Sequence, residues 1–198
     1  MRQISLLAAL TVFIVSVVVS PAAADDGFAD VYDGDAYCRG VLSDVWVEGN
    51  VYVKPGHRCV LDHAYVKGNV KVDTGRLTLR DSYVEGNVYS SHAARLVVKS
   101  SVVEGNLVAK FTKRYFVDGM EKPSAVVRSE VYGNIRLARN MAKYVLRANQ
   151  VDGNIEVFYN RGPVRIVMNY VDGNITCEEN LYPPYLRGNW VNGSVYCR

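Results

Sequence analysis

The chain has 198 residues, 49% of them hydrophobic, and 23 Lys and Arg against 20 Asp and Glu give a formal charge of +3. That length suits one domain. So small a basic excess excludes the electrostatic footprint of a nucleic-acid or anionic-membrane ligand, and the basic residues are scattered rather than run together, as solvated surface charge is.

In chain order, Met1-Arg2 is a short basic start, Leu6 to Val19 is nearly all apolar, and Ala22-Ala23-Ala24 precedes Asp25-Asp26. This is the pattern of a secretory signal peptide over residues 1–24, which predicts a secreted, extracellular protein. The apolar run is too short for a membrane anchor, and no later stretch could span a bilayer. Residues 25–35 form a lead-in segment, and residues 36–198 form the domain.

That domain repeats one phrase eight times: valine, any residue, glycine, then asparagine or serine. The copies begin at Val47, Val66, Val84, Val103, Val131, Val151, Val171 and Val191, at spacings of 19, 18, 19, 28, 20, 20 and 20 residues. A short fixed period with one longer interval is the signature of a solenoid, whose repeats bury their apolar faces only by stacking. Around each valine, apolar and polar residues alternate and β-branched residues abound, which predicts short strands with one face inward. The expected class is all-β, a single-domain solenoid of about eight coils.

The Gly-Asn pair is the corner of each coil, with glycine expected to supply positive φ. Seven asparagines in register, from Asn50 to Asn174, can hydrogen-bond along the stack, and Ser82, Ser101, Ser129, Asn149, Asn169 and Asn189 form a second ladder. Satisfying the corner backbone accounts for both ladders better than a binding surface does. With these stacked coils and asparagine ladders the chain resembles the right-handed parallel β-helix, the pectate-lyase-like superfold. The resemblance covers residues 36–198 and is architectural. It implies right-handed winding, which the uneven apolar spacing also favours, and a superfold that often hosts polysaccharide lyases and glycoside hydrolases.

Four cysteines in an exported chain suggest two disulfides. Cys177 and Cys197 each lie six residues after their repeat valine and so stack in neighbouring coils. Cys38 and Cys59 also align once a two-residue insertion, Arg39-Gly40, is allowed. Coils about 4.8 Å apart suit the Cα separation of a disulfide, so the pairs Cys38–Cys59 and Cys177–Cys197 are predicted, one near each end. No CxxC motif is present and the histidines are far apart, so no zinc site is expected.

Residues sharing a coil position form columns, and the early coils hold the chemically richest ones. Asp44, His63 and Asp81 stand three residues before their valines, beside Asp62 and Arg80. If the chain is an enzyme, these five are its candidate catalytic residues, with calcium on the carboxylates and Arg80 as base or substrate anchor. Trp46, Tyr65 and Tyr83, with Glu48 and Glu85 nearby, are candidate ligand-binding residues, because aromatic platforms with polar rims suit sugar rings. Cross-strand charge and aromatic pairs also stabilise sheets unaided. That structural account ranks first, a saccharide-binding face second and a catalytic site third.

The long interval inserts a loop near 110–125 carrying Lys113, Arg114, Tyr115 and Phe116, which would suit an anionic or glycan partner or pack onto its own coil. Asn174-Ile-Thr176 and Asn192-Gly-Ser194 match the glycosylation triplet but fall in repeat corners. Unpaired edges of the final coil would favour end-to-end self-association. The expected function is that of a secreted surface or extracellular binding or structural protein, with carbohydrate, a polysaccharide or cell-surface glycan, as the favoured ligand and without nucleic acid as partner. The alternative is a lyase or hydrolase acting on an acidic polysaccharide.

Overall fold

One coil shows how the sequence builds the rest. Leu77 and Leu79, two residues apart in the strand Arg76–Arg80, both point inward and are almost fully buried, while Arg80 is exposed. Asp81 then takes positive φ, 48°, and turns the chain sharply. The two-residue strand Tyr83–Val84 buries its valine, Gly86-Asn87 makes the next corner, and Val88–Ser91 forms the third side. His92, at φ 53°, turns the chain into the next coil.

A computed structural model describes residues 30–198 of the chain; the leader read over residues 1–24, and the start of the lead-in, lie outside the described residues. Repeated about eight times, the coil makes a three-sided parallel β-solenoid with no helix among the described residues. Each side is a parallel sheet. The first, nine-stranded, holds the repeat valines; the second, also nine-stranded, follows the Gly-Asn corner; the third has eight strands. Stacking begins at Asp30–Tyr32, which pairs with Val45–Val47, so the first sheet reaches back into the lead-in segment.

The core is a continuous column of Val, Leu and Ile from all three sheets, each contributing about 1.5–3 kcal/mol when fully buried. Its largest fully buried side chain is Tyr144, whose hydroxyl lies 2.7 Å from that of Thr112. Burial pushes the Tyr144 phenol up to about 12.

The asparagine ladders form as the repeat predicts. From Asn50 to Asn154 each side-chain oxygen accepts the backbone and side-chain N–H groups of the next asparagine in the stack, at 2.7–3.1 Å, and Asp35 serves as the first acceptor. Those two donors, the backbone one foremost, hold the Asp35 carboxyl below its usual range. The second ladder, through Ser82, Ser101, Ser129, Asn149, Asn169 and Asn189, runs along the inside of another corner. A third ladder went unread in the sequence: Thr112, Asn140, Asn160 and Asn180 stack nine residues after their valines. Three copies at one offset are a visible signal, although Gly75 and Ala93 interrupt it in earlier coils.

The corner glycine has a different cause from the one expected. Among the described residues the positive-φ glycines are Gly40, Gly56, Gly119 and Gly188, none of them the glycine of a Val-x-Gly-Asn repeat. In the repeat corners the coils instead approach so closely that a Cβ cannot fit. One on Gly68 would lie 2.4 Å from the Gly49 carbonyl oxygen, and one on Gly153 would lie 2.7 Å from that of Gly133.

Both predicted disulfides are present, with Cα separations of 5.5 Å for Cys38–Cys59 and 4.3 Å for Cys177–Cys197. Cys177 and Cys197 are register partners in the second sheet. Cys38 and Cys59 are not: Cys38 stacks on Val53 in the second sheet, and Cys59 stacks on Gly40 in the third. Both are fully buried, so this bridge links two sides of the prism through its interior. Two disulfides indicate an oxidising, extracellular type of environment. Among the described residues no helix is long and apolar enough to cross a membrane.

Candidate functional site

The column Asp44, His63, Asp81 has a conformational explanation. All three residues take positive φ, 52°, 51° and 48°, and so do Ser100, Arg128, Ala148 and Met168 at the same place in later coils, where Gly188 follows. Aspartate and histidine are among the non-glycine residues best suited to that region. The corner therefore selects them whether or not they do chemistry.

Next to that corner Arg80 donates two hydrogen bonds to the two carboxylate oxygens of Asp62, one of them at 2.8 Å. The pair holds the Asp62 carboxyl below its usual range and raises the Arg80 guanidinium further above its own. A general base needs the opposite shift, so this geometry suits Arg80 to charge pairing. One ligand atom each of Asp62, His63 and Asp81 lies within 4.8 Å of the others, with His63 Nδ1 3.3 Å from Asp62 Oδ1. A hard cation such as calcium takes six or more oxygens. Here both Asp62 oxygens are engaged by a fixed positive charge, which repels one.

The aromatic residues of the first sheet stack on each other. Trp46 and Tyr65 have ring centroids 4.1 Å apart, Tyr65 and Tyr83 5.3 Å, with nearly parallel planes. Their polar ends are also engaged. Trp46 donates to Glu48 at 2.6 Å, Tyr65 donates to Glu85, and Tyr83 donates to Glu104. Lys67 donates to Glu48 at 2.6 Å, and with Trp46 it holds that carboxyl below its usual range. Desolvation raises the Tyr65 phenol, and the Glu104 carboxylate raises that of Tyr83. All five binding residues read from the sequence thus come together in one closed network, in which ring faces cover ring faces.

The second sheet carries a more open arrangement that the sequence reading missed. Its outward column runs Tyr37, Tyr52, Lys71, Tyr89, the last three of them five residues after their repeat valines. Tyr37 stacks on Tyr52 at 5.5 Å, and Lys71 lies 5.3 Å from the Tyr52 ring centre on its way to Tyr89. Tyr37 is 66% exposed and Tyr89 41%. Beside them the corner Lys54-Pro55 walls an open groove of about 600 Å³, with Asp73 and Ser91 on its floor and rim. Two tyrosines and a lysine at one offset were visible in the repeat, whereas Tyr37 precedes the first repeat valine. What distinguishes this column from that of Trp46, Tyr65 and Tyr83 is that Tyr37 and Tyr89 are exposed, whereas those three rings are half-buried.

The insertion forms an antiparallel hairpin, Phe116–Val117 with Met120–Glu121, standing off the coil. Tyr115 at its base folds back, accepting a hydrogen bond from Arg76 with its ring 5.2 Å from that guanidinium, while Phe116 and Met120 are exposed. One aromatic packs onto the coil and the other faces solvent. Neither a family model nor a curated protein nor a solved structure matches the chain, so its own geometry carries the functional reading.

Proposed function

We propose that the protein is an exported, right-handed β-solenoid that binds carbohydrate at a surface or in the extracellular space, using the groove of Tyr37, Tyr52, Lys71 and Tyr89 and performing no cleavage. The observation that carries this reading is the pair of exposed rings, Tyr37 and Tyr89, at the two ends of a column that holds Tyr52 and Lys71 along an open groove. Flat rings offer an apolar platform to sugar C–H faces, and Lys71, Asp73 and Ser91 supply polar contacts to hydroxyls. Support for export comes from the leader pattern and the two disulfides. The unequal sides of the coil, of two, four and five residues in Tyr83–Val84, Val88–Ser91 and Arg76–Arg80, favour right-handed winding.

The test is retention of the purified chain on a panel of neutral and acidic polysaccharides, with product ends followed in parallel. Tyr89→Ala is expected to lower the affinity for the retained polymer about tenfold, a loss of one stacked ring, and Tyr83→Ala to leave the residual binding unchanged in a still-folded chain. Equal affinity in wild type and Tyr89→Ala would sink the groove. New chain ends abolished by Asp81→Ala would replace this reading with a polysaccharide lyase or hydrolase.

A further inference from the structure

The third sheet holds an arrangement of charge that the nearly balanced total conceals. Its strands carry Arg58, Arg76, Arg80, Arg95 and Lys99 in the early coils and Arg147, Arg165 and Arg187 in the late ones, against a single carboxylate, Asp62. Asp62 is engaged by Arg80, and Tyr115 lies over Arg76. Of the late arginines Arg165 also lies against a ring, Tyr185. Among the described residues, however, no carboxylate engages any of the three, and all three are exposed.

Register places them in a checkerboard. One outward column runs Val145, Arg165, Tyr185, and the column beside it runs Arg147, Val167, Arg187. The arginines surround a concave surface of about 390 Å³ whose floor is Val145 and Val167 and whose rim includes Met168 and Tyr185. Arg165 lies 5.2 Å from the Tyr185 ring centre, which restrains its guanidinium and leaves the N–H edge for an acceptor. Arg147 and Arg187 are two coils apart, roughly 10 Å at 4.8 Å per coil. Three like charges so close repel one another in the free protein, and a bound anion relieves that repulsion.

We infer that this basin is an anion-binding site for an acidic polysaccharide bearing one carboxylate or sulfate on alternate sugars. Successive acidic groups on such a chain are spaced to meet Arg147 and Arg187 in turn. The sugar between them lays its C–H face on Val145, Val167 and Met168. Nucleic acid fits less well, because a single ring, Tyr185, with Arg165 against it, gives successive bases no series of stacking platforms. The site lies on a different sheet from the tyrosine groove, at the opposite end of the stack, and stands or falls independently of it.

The test measures binding to immobilised hyaluronan, chondroitin sulfate, dextran and single-stranded DNA, for wild type, an Arg147→Ala/Arg187→Ala double variant and a Lys113→Ala/Arg114→Ala double variant of equal charge change. Hyaluronan carries only the carboxylate and chondroitin sulfate adds a sulfate to it, so the pair shows whether the carboxylate suffices. Wild type is expected to hold one or both of these and not dextran. The basin variant should lose about tenfold or more in affinity, as expected for two charge-assisted contacts, while the hairpin variant stays within about twofold because its loss is only long-range and screened. All three chains should melt together, since the substituted residues are exposed. Equal losses in the two variants would reduce the effect to net charge and overturn the site. DNA bound as tightly as either glycan would overturn the ligand class, and no binding to any polyanion would overturn both. Tyr89→Ala, run alongside, reports on the groove alone.

Discussion

Between Gly49 and Gly68 two backbones come within the reach of a single methyl group. A Cβ on Gly68 would sit 2.4 Å from the Gly49 carbonyl oxygen and 2.6 Å from its carbon, and both are backbone atoms that cannot swing aside. Gly68→Ala is therefore expected to destabilise the chain by about 1–3 kcal/mol, the usual cost of forcing extra volume into a packed region. Gly34→Ala is the matched comparison, since nothing lies within 4 Å of its Cβ position. Urea unfolding of the two variants checks this, and equal midpoints would refute the steric account. The Gly-Asn repeat made the corner legible in the sequence, but for the wrong reason. A sequence shows that glycine recurs; whether it serves torsion or clearance depends on the distance between coils. The positive-φ positions were hidden for the converse reason, because Ser100, Arg128, Ala148 and Met168 share no side-chain chemistry that would betray a common backbone conformation.

At the level of strands and bridges, the equal offset of Cys177 and Cys197 from their valines put them in one column, and the register of the second sheet places them there. The other bridge was reached through an assumed insertion, yet Cys38 and Cys59 lie in different sheets and meet inside the prism. Column logic predicts neighbours along the stack and is blind to contacts across it. The two bridges should differ in what they protect. Each coil of a solenoid is held mainly by its neighbours, so loss of an end contact loosens the end first. Closing a loop of this size contributes about 3 kcal/mol. A Cys177→Ser/Cys197→Ser chain is expected to lose amide protection in Tyr185–Arg187, Trp190–Val191 and Val195–Cys197, while Leu107–Lys110 at mid-stack keeps its own. Hydrogen exchange resolved by segment decides it, and a uniform loss along the chain would show that the solenoid unfolds as one unit.

Across the whole molecule, the three sheets sort charges that look mixed in the sequence. Glu48, Glu85, Glu104, Asp152 and Asp172 follow their repeat valines at one edge of the first sheet, with Glu130 beside them and Lys67 the only basic residue in that set. The third sheet has eight basic residues and one carboxylate on its strands. Scattered positions along the chain become separate faces of a prism once every twentieth residue shares a side, and that is why a reading by runs and totals passed over the arginine basin. The early aromatic and acidic columns were found because the eye follows residue type, whereas openness depends on which ring covers which. Molecules with one acidic and one basic face attract each other when salt does not intervene. The Debye length falls from about 30 Å at 0.01 M to about 8 Å at 0.15 M salt. Light scattering near neutral pH should therefore give a negative second virial coefficient at the lower ionic strength that rises with added sodium chloride. Replacing Arg147 and Arg187 with alanine should weaken this attraction by removing charge from one face, even though it carries the formal net charge from +3 to +1, nearer zero, where repulsion is least. A coefficient that tracked net charge alone, more negative in that variant than in wild type, would show that the faces do not act as separate electrostatic surfaces.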